Sequence, residues 1–320
     1  MILITGAGGF VGTSLVTELA RRRTPYRAVT RRRAQNSFVV PDIDGHTDWT
    51  AALEGVDVVV HLAARAHVTH ETAPLVEAHI QSSNVDATLN LARQAARAGV
   101  KRFVFISSIK VNGEATAPGR PFTAADRPNP QNPYAQSKLD SELGLFALSR
   151  ETRLEVTVIR PPLVYGAGVK ANFDTMMQWV DRGIPLPLGA VNNKRSFVYV
   201  GNLVDLIIVA AGHPKAAGEV FVVSDDEDMS TTQLFRRLAT ALGRQCRVMP
   251  VPATFLKAGA TMLGRRDVAN RLIDSLQVDC SRTREVLGWK PPVSVEDGLR
   301  ETARSFQRAE LALDPIARSA

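Results

Sequence analysis

Apolar residues along the chain fall into two kinds of run. Short runs rich in β-branched side chains stand at residues 2–4, 26–30, 56–62, 101–107, 154–160, 196–200 and 219–224. Their length suits strands, and their continuity suits a parallel sheet covered on both faces. Between them, apolar residues recur at helical spacing. Leu15, Val16 and Leu19 follow the first run. Val85, Leu89 and Ala92 mark one face of a helix predicted over 75–98 and stopped by Gly99. Leu234, Leu238 and Ala241 do the same over 231–242, behind a capping Ser230. Strand and helix in alternation predict an α/β fold, a doubly wound parallel sheet.

The remaining pattern is less regular. Residues 39–43 read as a short edge strand whose pairing Pro41 limits, and 51–55 as a short helix. Stretches 65–74, 111–133 and 183–195 are polar or rich in Gly and Pro, hence loops. A helix opens at Tyr134 and runs to about 150. Pro161 and Pro162 end the strand at 154–160 in a rigid turn. After Gly166 the alternation weakens: helices are predicted at 172–182, 203–212, 255–263, 271–276, 279–287 and 295–307, an extended piece at 247–251, and a frayed tail at 314–320. The chain is expected to divide into residues 1–165 with 196–224, and a smaller, mostly helical part, 166–195 with 225–320.

The first strand leads into Gly6, Gly9 and Gly12 before the first helix. Gly6 permits a tight turn, Gly9 leaves room for a pyrophosphate against bare backbone, and Gly12 lets helix and strand pack closely. The N–H groups at the helix start, from Phe10 and Val11 onward, and the helix dipole favour phosphate. Strand, glycine turn and helix in this order point to a Rossmann-type dinucleotide site. The second strand ends in Thr30-Arg31-Arg32-Arg33, where NAD selection usually places an acid. Arg31 and Arg32 suit a 2′-phosphate and favour NADP(H), with NAD(H) the alternative; a solvated basic turn is the plainer reading. Asp42 and Ile43 are candidates to flank the adenine. Leu62, Ala63 and Ala64 are small enough to let a cofactor lie over the strand end, where His61 is read as a packed side chain.

Composition narrows the class. The chain has 320 residues, 45% hydrophobic and 22% charged, which excludes disorder. Apolar stretches such as 203–211 are too short for a bilayer, so no membrane insertion is expected. No signal peptide is legible, and two cysteines, Cys246 and Cys280, make no disulfide framework; a cytoplasmic location follows. The net charge of +7 includes seven Lys and Arg between residues 21 and 33. No aromatic-interleaved basic stripe accompanies them, so nucleic acid is not the expected partner. His67 and His70 lack an acidic or cysteine cluster, and no metal site is expected.

Tyr134 and Lys138 stand one helical turn apart and share a face. An ammonium there is expected to lower the phenol pKa and make Tyr134 a usable acid or base. Ser107 and Ser108 end the preceding strand, within reach of the same substrate oxygen.

These motifs together resemble the extended short-chain dehydrogenase/reductases, in particular the nucleotide-sugar epimerase/dehydratase/reductase group. The resemblance covers nearly the whole chain. It rests on Thr5-Gly-Ala-Gly-Gly-Phe-Val-Gly12, His61-Leu-Ala-Ala64, Asn84, Phe105-Ile-Ser-Ser-Ile-Lys-Val-Asn-Gly113, Tyr134 with Lys138, Arg160-Pro-Pro-Leu-Val-Tyr-Gly166 and Arg195-Ser-Phe-Val-Tyr-Val200. It implies a catalytic group of Ser108, Tyr134 and Lys138. It implies cofactor contacts that include Asn84, Ser107 and Pro161, besides Tyr134 and Lys138. Asn172 and Arg195 match positions that hold a nucleotide diphosphate; Arg271 is either a further ligand of it or a surface arginine. Lys110 and Asn112 fall where substrate contacts are expected. Two departures stand out: Asn112 replaces the usual Tyr, and Ile109-Lys110 replaces the Asp-Glu pair that dehydratases carry, which disfavours dehydration.

Within the group the closest resemblance, including Leu186-Pro-Leu-Gly-Ala190, is to bacterial reductases of UDP-4-keto-6-deoxy-N-acetylhexosamines, which supply surface-polysaccharide sugars. The expected activity is thus NAD(P)H-dependent reduction of the C4 ketone of a UDP-sugar, by a homodimer. The alternatives are a UDP-sugar 4-epimerase that retains NAD and, more distantly, a non-catalytic NADP-sensing regulator.

Overall fold

The computed structural model describes residues 1–31, 37–65, 80–170, 172–262, 264 and 266–313. The chain begins with β1 (Ile2–Thr5), α1 (Phe10–Arg21), β2 (Tyr26–Thr30), β3 (Ser37–Val39), α2 (Thr50–Leu53) and β4 (Val58–His61). A π turn at Gln81–Asp86 leads into α3 (Ala87–Arg97) and β5 (Arg102–Ile106). A 3-10 turn at Ile109–Val111 follows, then α4 (Pro133–Glu151), β6 (Glu155–Arg160) and β7 (Leu163–Tyr165). Next come α5 (Asn172–Asp181), β8 (Phe197–Tyr199), α6 (Val200–Gly212), β9 (Val220–Val222) and α7 (Thr231–Leu242). The last elements are α8 (Ala253–Met262), α9 (Arg266–Ile273), α10 (Ser281–Leu287) and α11 (Val295–Leu313).

Seven parallel strands form the central sheet in the order β3-β2-β1-β4-β5-β6-β9. β1 pairs with β2 on one side and β4 on the other, so the direction of winding reverses between β1 and β4. The crevice at the carboxyl ends of these two strands is where open α/β sheets take ligands. Every residue of β5 is buried, as a central strand covered on both faces requires. Its one charged residue, Arg102, bonds Glu155 and the carbonyl oxygens of Ala210 (2.9 Å) and His213 (2.6 Å). One apolar core joins β1, α1, α6 and the later helices; a second, around Trp49, Leu91 and Phe103, fills the opposite face.

β7 and β8 pair as a separate parallel two-stranded sheet. Around it pack α6 and α11. The Ser230 hydroxyl accepts from the Gln233 amide, and the Gln233 side chain accepts from the Ser230 amide, so α7 begins as a capping box.

Three expectations need correction. The strand expected at 39–43 is Ser37–Val39; the Val40 amide makes one more bond to the Thr30 carbonyl before the chain leaves at Pro41. The helix expected at 271–276 ends at Ile273, because Leu276 bridges in parallel to Arg195 and its amide donates to the Lys194 carbonyl. Such pairing across the fold leaves no local signal. The helix expected over 75–98 contains a π turn at Gln81–Asp86; residues 75–79 lie outside the described residues, as do the tail at 314–320, His67 and His70.

Candidate active site

The glycine turn fits a dinucleotide. Gly6 has φ +70°, and a side chain there would meet the Ala63 nitrogen at 2.8 Å. A Cβ on Gly12 would lie 2.2 Å from the Gly6 carbonyl oxygen. α1 therefore starts against the turn and beside the end of β4. Its N-cap is Gly9, and no side chain among the described residues caps the first N–H groups, an arrangement that suits a phosphate. Gly6, Gly9, Phe10, Val11 and Gly12 would hold the pyrophosphate.

The rim of this crevice is mixed. Leu62 and Ala63 are half-buried and Ala64 exposed. Arg31 is exposed at the end of β2, and Arg32 lies outside the described residues. Asp42 is exposed and lines a surface depression with Phe38, Pro41 and His46. Ile43 instead packs toward the core that contains Trp49. His61 is fully buried between Thr5 (2.7 Å) and Thr88 (2.9 Å). The Thr88 hydroxyl gives its proton to the Asn84 carbonyl, so the network assigns the His61 proton to Nε2. Burial depresses the imidazole to about 3, with Lys138 adding to the effect, and keeps it neutral.

Asn84 does not face the crevice as a free ligand. Its amide accepts from the Arg65 nitrogen (2.8 Å) and donates to the Arg65 carbonyl (3.1 Å) and the Ser137 hydroxyl (3.1 Å). It braces the segment after β4 against α4, from a π turn of the kind that often marks functional sites. Ser107 is likewise spent inside the protein: its hydroxyl donates to Glu142 at 2.5 Å.

Ser108, Tyr134 and Lys138 are brought to one end of the sheet. Ser108 follows β5 and caps the 3-10 turn, its hydroxyl accepting from the Lys110 amide at 3.3 Å. That turn packs on α4. Asn132 caps α4 through the Ala135 amide (2.9 Å), and Pro133 occupies the first turn, which sets Tyr134 at the helix start. Lys138 is 2% exposed. Its ammonium donates to the Ile106 carbonyl at 2.9 Å and lies 4.5 Å from the Phe105 ring centroid and 5.9 Å from that of Tyr134. Burial lowers Lys138 to about 7, with the Glu142 carboxylate pulling the other way. The Tyr134 phenol is pushed up to about 12 by burial. The expected downward shift is therefore absent: the ammonium turns toward Ile106 and Phe105, and desolvation prevails.

Facing this group, Glu114 accepts from Lys110 (3.2 Å) and Asn132 (2.5 Å), and its charge acts on Arg195. The Arg195 guanidinium is largely buried and donates to the Asp274 carbonyl at 2.8 Å. Burial lowers its pKa. Asn112, expected to touch substrate, has its side chain tied into the protein. It is 3% exposed, donates to the Thr123 carbonyl (2.8 Å) and accepts from Arg160 (3.0 Å). Pro161 is buried, its carbonyl accepting from the Ile109 amide at 3.0 Å. Arg271 is exposed on α9, and the side chain of Asn172, at the start of α5, is outside the described set. Sequence reading missed Glu114, Glu142 and Asp274; the Arg160–Glu142 pair joins residues 18 apart, and no local pattern marks it. Among the described residues, no cluster of His, Cys, Asp or Glu could hold a metal, and no helix is long and apolar enough to cross a membrane.

A glycine turn at the switch point of a parallel sheet, beside a tyrosine–lysine helix, defines a dinucleotide-dependent enzyme of the oxidoreductase type. Residues 2–224 match the NAD dependent epimerase/dehydratase family, and the chain belongs to it. It is 46% identical over 314 residues to a UDP-glucose 4-epimerase of Vibrio cholerae, covering 96% of each chain. Among solved structures, the UDP-glucose 4-epimerase of Thermotoga maritima with UDP-glucose aligns with a TM-score of 0.76 at 24% identity, over 97% of this chain and 99% of that one. MoeE5 in complex with UDP-glucuronic acid and NAD aligns with a TM-score of 0.77 at 25% identity, over 96% and 99%.

Proposed function

We propose that the protein is a nucleotide-sugar 4-epimerase of the UDP-glucose type, which keeps its NAD through the cycle. The observation that carries this reading is the 46% identity to a UDP-glucose 4-epimerase along nearly the whole chain; it is supported by the packing of the Ser108 turn on the helix of Tyr134 and Lys138, at the end of β5. Tyr134, deprotonated against the Lys138 charge, takes the proton of the sugar C4 hydroxyl and returns it once the sugar has turned in the site. Ser108 holds the same oxygen by a hydrogen bond. Lys138 places a buried charge beneath Tyr134 and offers N–H groups to the cofactor ribose. Arg195, aided by Asn172 and Arg271, takes the diphosphate, and Lys110 lies at the sugar end. When bound, NAD supplies the acceptor and donor of the C4 hydride. On this reading residues 1–165 and 196–224 hold the cofactor, and 166–195 and 225–320 hold the nucleotide sugar.

The relatives favour epimerisation over the C4 reduction expected from the motifs. One observation supports the second reading: Arg31 follows β2, and the sequence has no acid there to bind a ribose 2′-hydroxyl, which suits an exchanging NADP(H). Gel filtration of the purified protein followed by acid release of bound dinucleotide separates the two. An epimerase retains about one NAD per chain. An empty protein that oxidises NADPH with a UDP-4-keto-6-deoxy sugar is a reductase.

A further inference from the structure

Beneath Ser108, Tyr134 and Lys138 lies a closed group of polar side chains. Glu142, one turn beyond Lys138 on α4, is 2% exposed. It accepts from Arg160 Nε (3.0 Å), Arg160 Nη2 (2.5 Å) and the Ser107 hydroxyl (2.5 Å). Arg160 ends β6, is 4% exposed, and gives Nη1 to the Asn112 amide oxygen at 3.0 Å. Asn112 closes the 3-10 turn that Ser108 opens. The end of β5, that turn, α4 and the end of β6 thus converge on one guanidinium.

A buried ion pair by itself is weak evidence of a stabilising role, since apolar replacements often serve as well. Its placement is more telling. A guanidinium is planar, and its N–H groups point in fixed directions. Arg160 therefore fixes the helix carrying Tyr134 and the turn carrying Ser108 relative to one another. We propose that Asn112, Arg160 and Glu142 are positioning residues that set the Ser108 hydroxyl against the Tyr134 hydroxyl. The proposal rests on the reading of Ser108, Tyr134 and Lys138 as the reacting group. Glu142 also supplies the counter-charge to Lys138. Among the described residues, the other groups about that ammonium are Tyr134 on its own helix, the Ile106 carbonyl and Phe105 ring of β5, neutral His61 on β4, and Arg160 on β6, whose charge Glu142 shares.

The test compares Asn112→Leu and Asn112→Asp with the wild type, using UDP-glucose and bound NAD. The first removes the acceptor that faces Arg160; the second keeps it. A displacement of reacting groups of about 1 Å costs up to about 100-fold in rate. Asn112→Leu is expected to lower kcat by at least about 10-fold while KM for UDP-glucose changes less than about 3-fold. Asn112→Asp is expected to recover kcat to within about 3-fold of wild type. An unchanged kcat in Asn112→Leu, or a loss confined to KM, overturns the proposal. Should Asn112→Leu fail to fold, Glu142→Gln carries the test. It keeps the side-chain shape and removes the charge that helps Lys138 hold its proton, so the alkaline limb of kcat moves to lower pH. An unmoved limb overturns the proposal. A wild type inert toward UDP-glucose rejects the epimerase reading separately. The same variants are then assayed with NADPH and a UDP-4-keto-6-deoxy sugar, where the same kcat pattern is expected and its absence overturns the proposal.

Discussion

Gly12 stands so close to Gly6 that a methyl group on it would lie 2.2 Å from the Gly6 carbonyl oxygen. The oxygen belongs to the turn that would cradle the pyrophosphate, so Gly12→Ala must push α1 away from that turn. Affinity for NAD is expected to fall at least about 10-fold, which titration calorimetry measures. An unchanged affinity would show that the helix start does not hold the cofactor.

His61 makes stability depend on pH. Its imidazole is held near 3 in the folded protein against an ordinary 6.5, so the unfolded chain binds the extra proton first. The stability it contributes is complete above about 6.5 and drains away as pH falls toward 3. Melting temperatures of the wild type are expected to drop more steeply between these limits than those of His61→Gln. Parallel curves for the two proteins would refute this.

Tyr165 supports the fold without touching the reaction. Its hydroxyl donates to Asp225 at 2.8 Å, and Asp225 also takes the Tyr199 amide and the Asn202 side chain. Tyr165→Phe leaves those other partners in place and removes one hydrogen bond to a buried carboxylate. A loss of about 1–3 kcal/mol in denaturant unfolding is expected, with kcat near wild type. A variant as stable as wild type would contradict this.

Arg195 is proposed to act on the diphosphate, not at the sugar C4. Arg195→Met is then expected to raise KM for UDP-glucose about 10-fold or more, with kcat within about 3-fold of wild type. A fall in kcat at constant KM would assign it to the reaction step instead.

How far the sequence disclosed all this depended on the range of the interactions. β2 and α7 appear at the bounds their residues predict, because β-branched runs and a Ser–Gln capping box are local signals. The glycine turn was legible for the same reason: close approach leaves its mark in residue type. The side-chain partners of Asn84 and Asn112 were not legible. Both are polar residues in motifs next to the site, yet their partners, Ser137 and Arg160, are distant in sequence and face inward. The piece at 274–276 was lost in the same way, since its conformation is set by Arg195 across the fold and not by its neighbours. The Tyr134 phenol moves opposite to expectation because i, i+4 spacing puts Lys138 on its face but does not say where the ammonium points.

The most direct test is incubation of the purified protein with UDP-glucose and no added cofactor, followed by quantification of UDP-galactose and of bound NAD, with Tyr134→Phe alongside. The proposed function predicts that the wild type forms an equilibrium mixture of the two sugars with no net consumption of NAD, while Tyr134→Phe folds, keeps its NAD and forms none. UDP-glucose left untouched by the wild type, with NADPH consumed on addition of a UDP-4-keto-6-deoxy sugar, would contradict it.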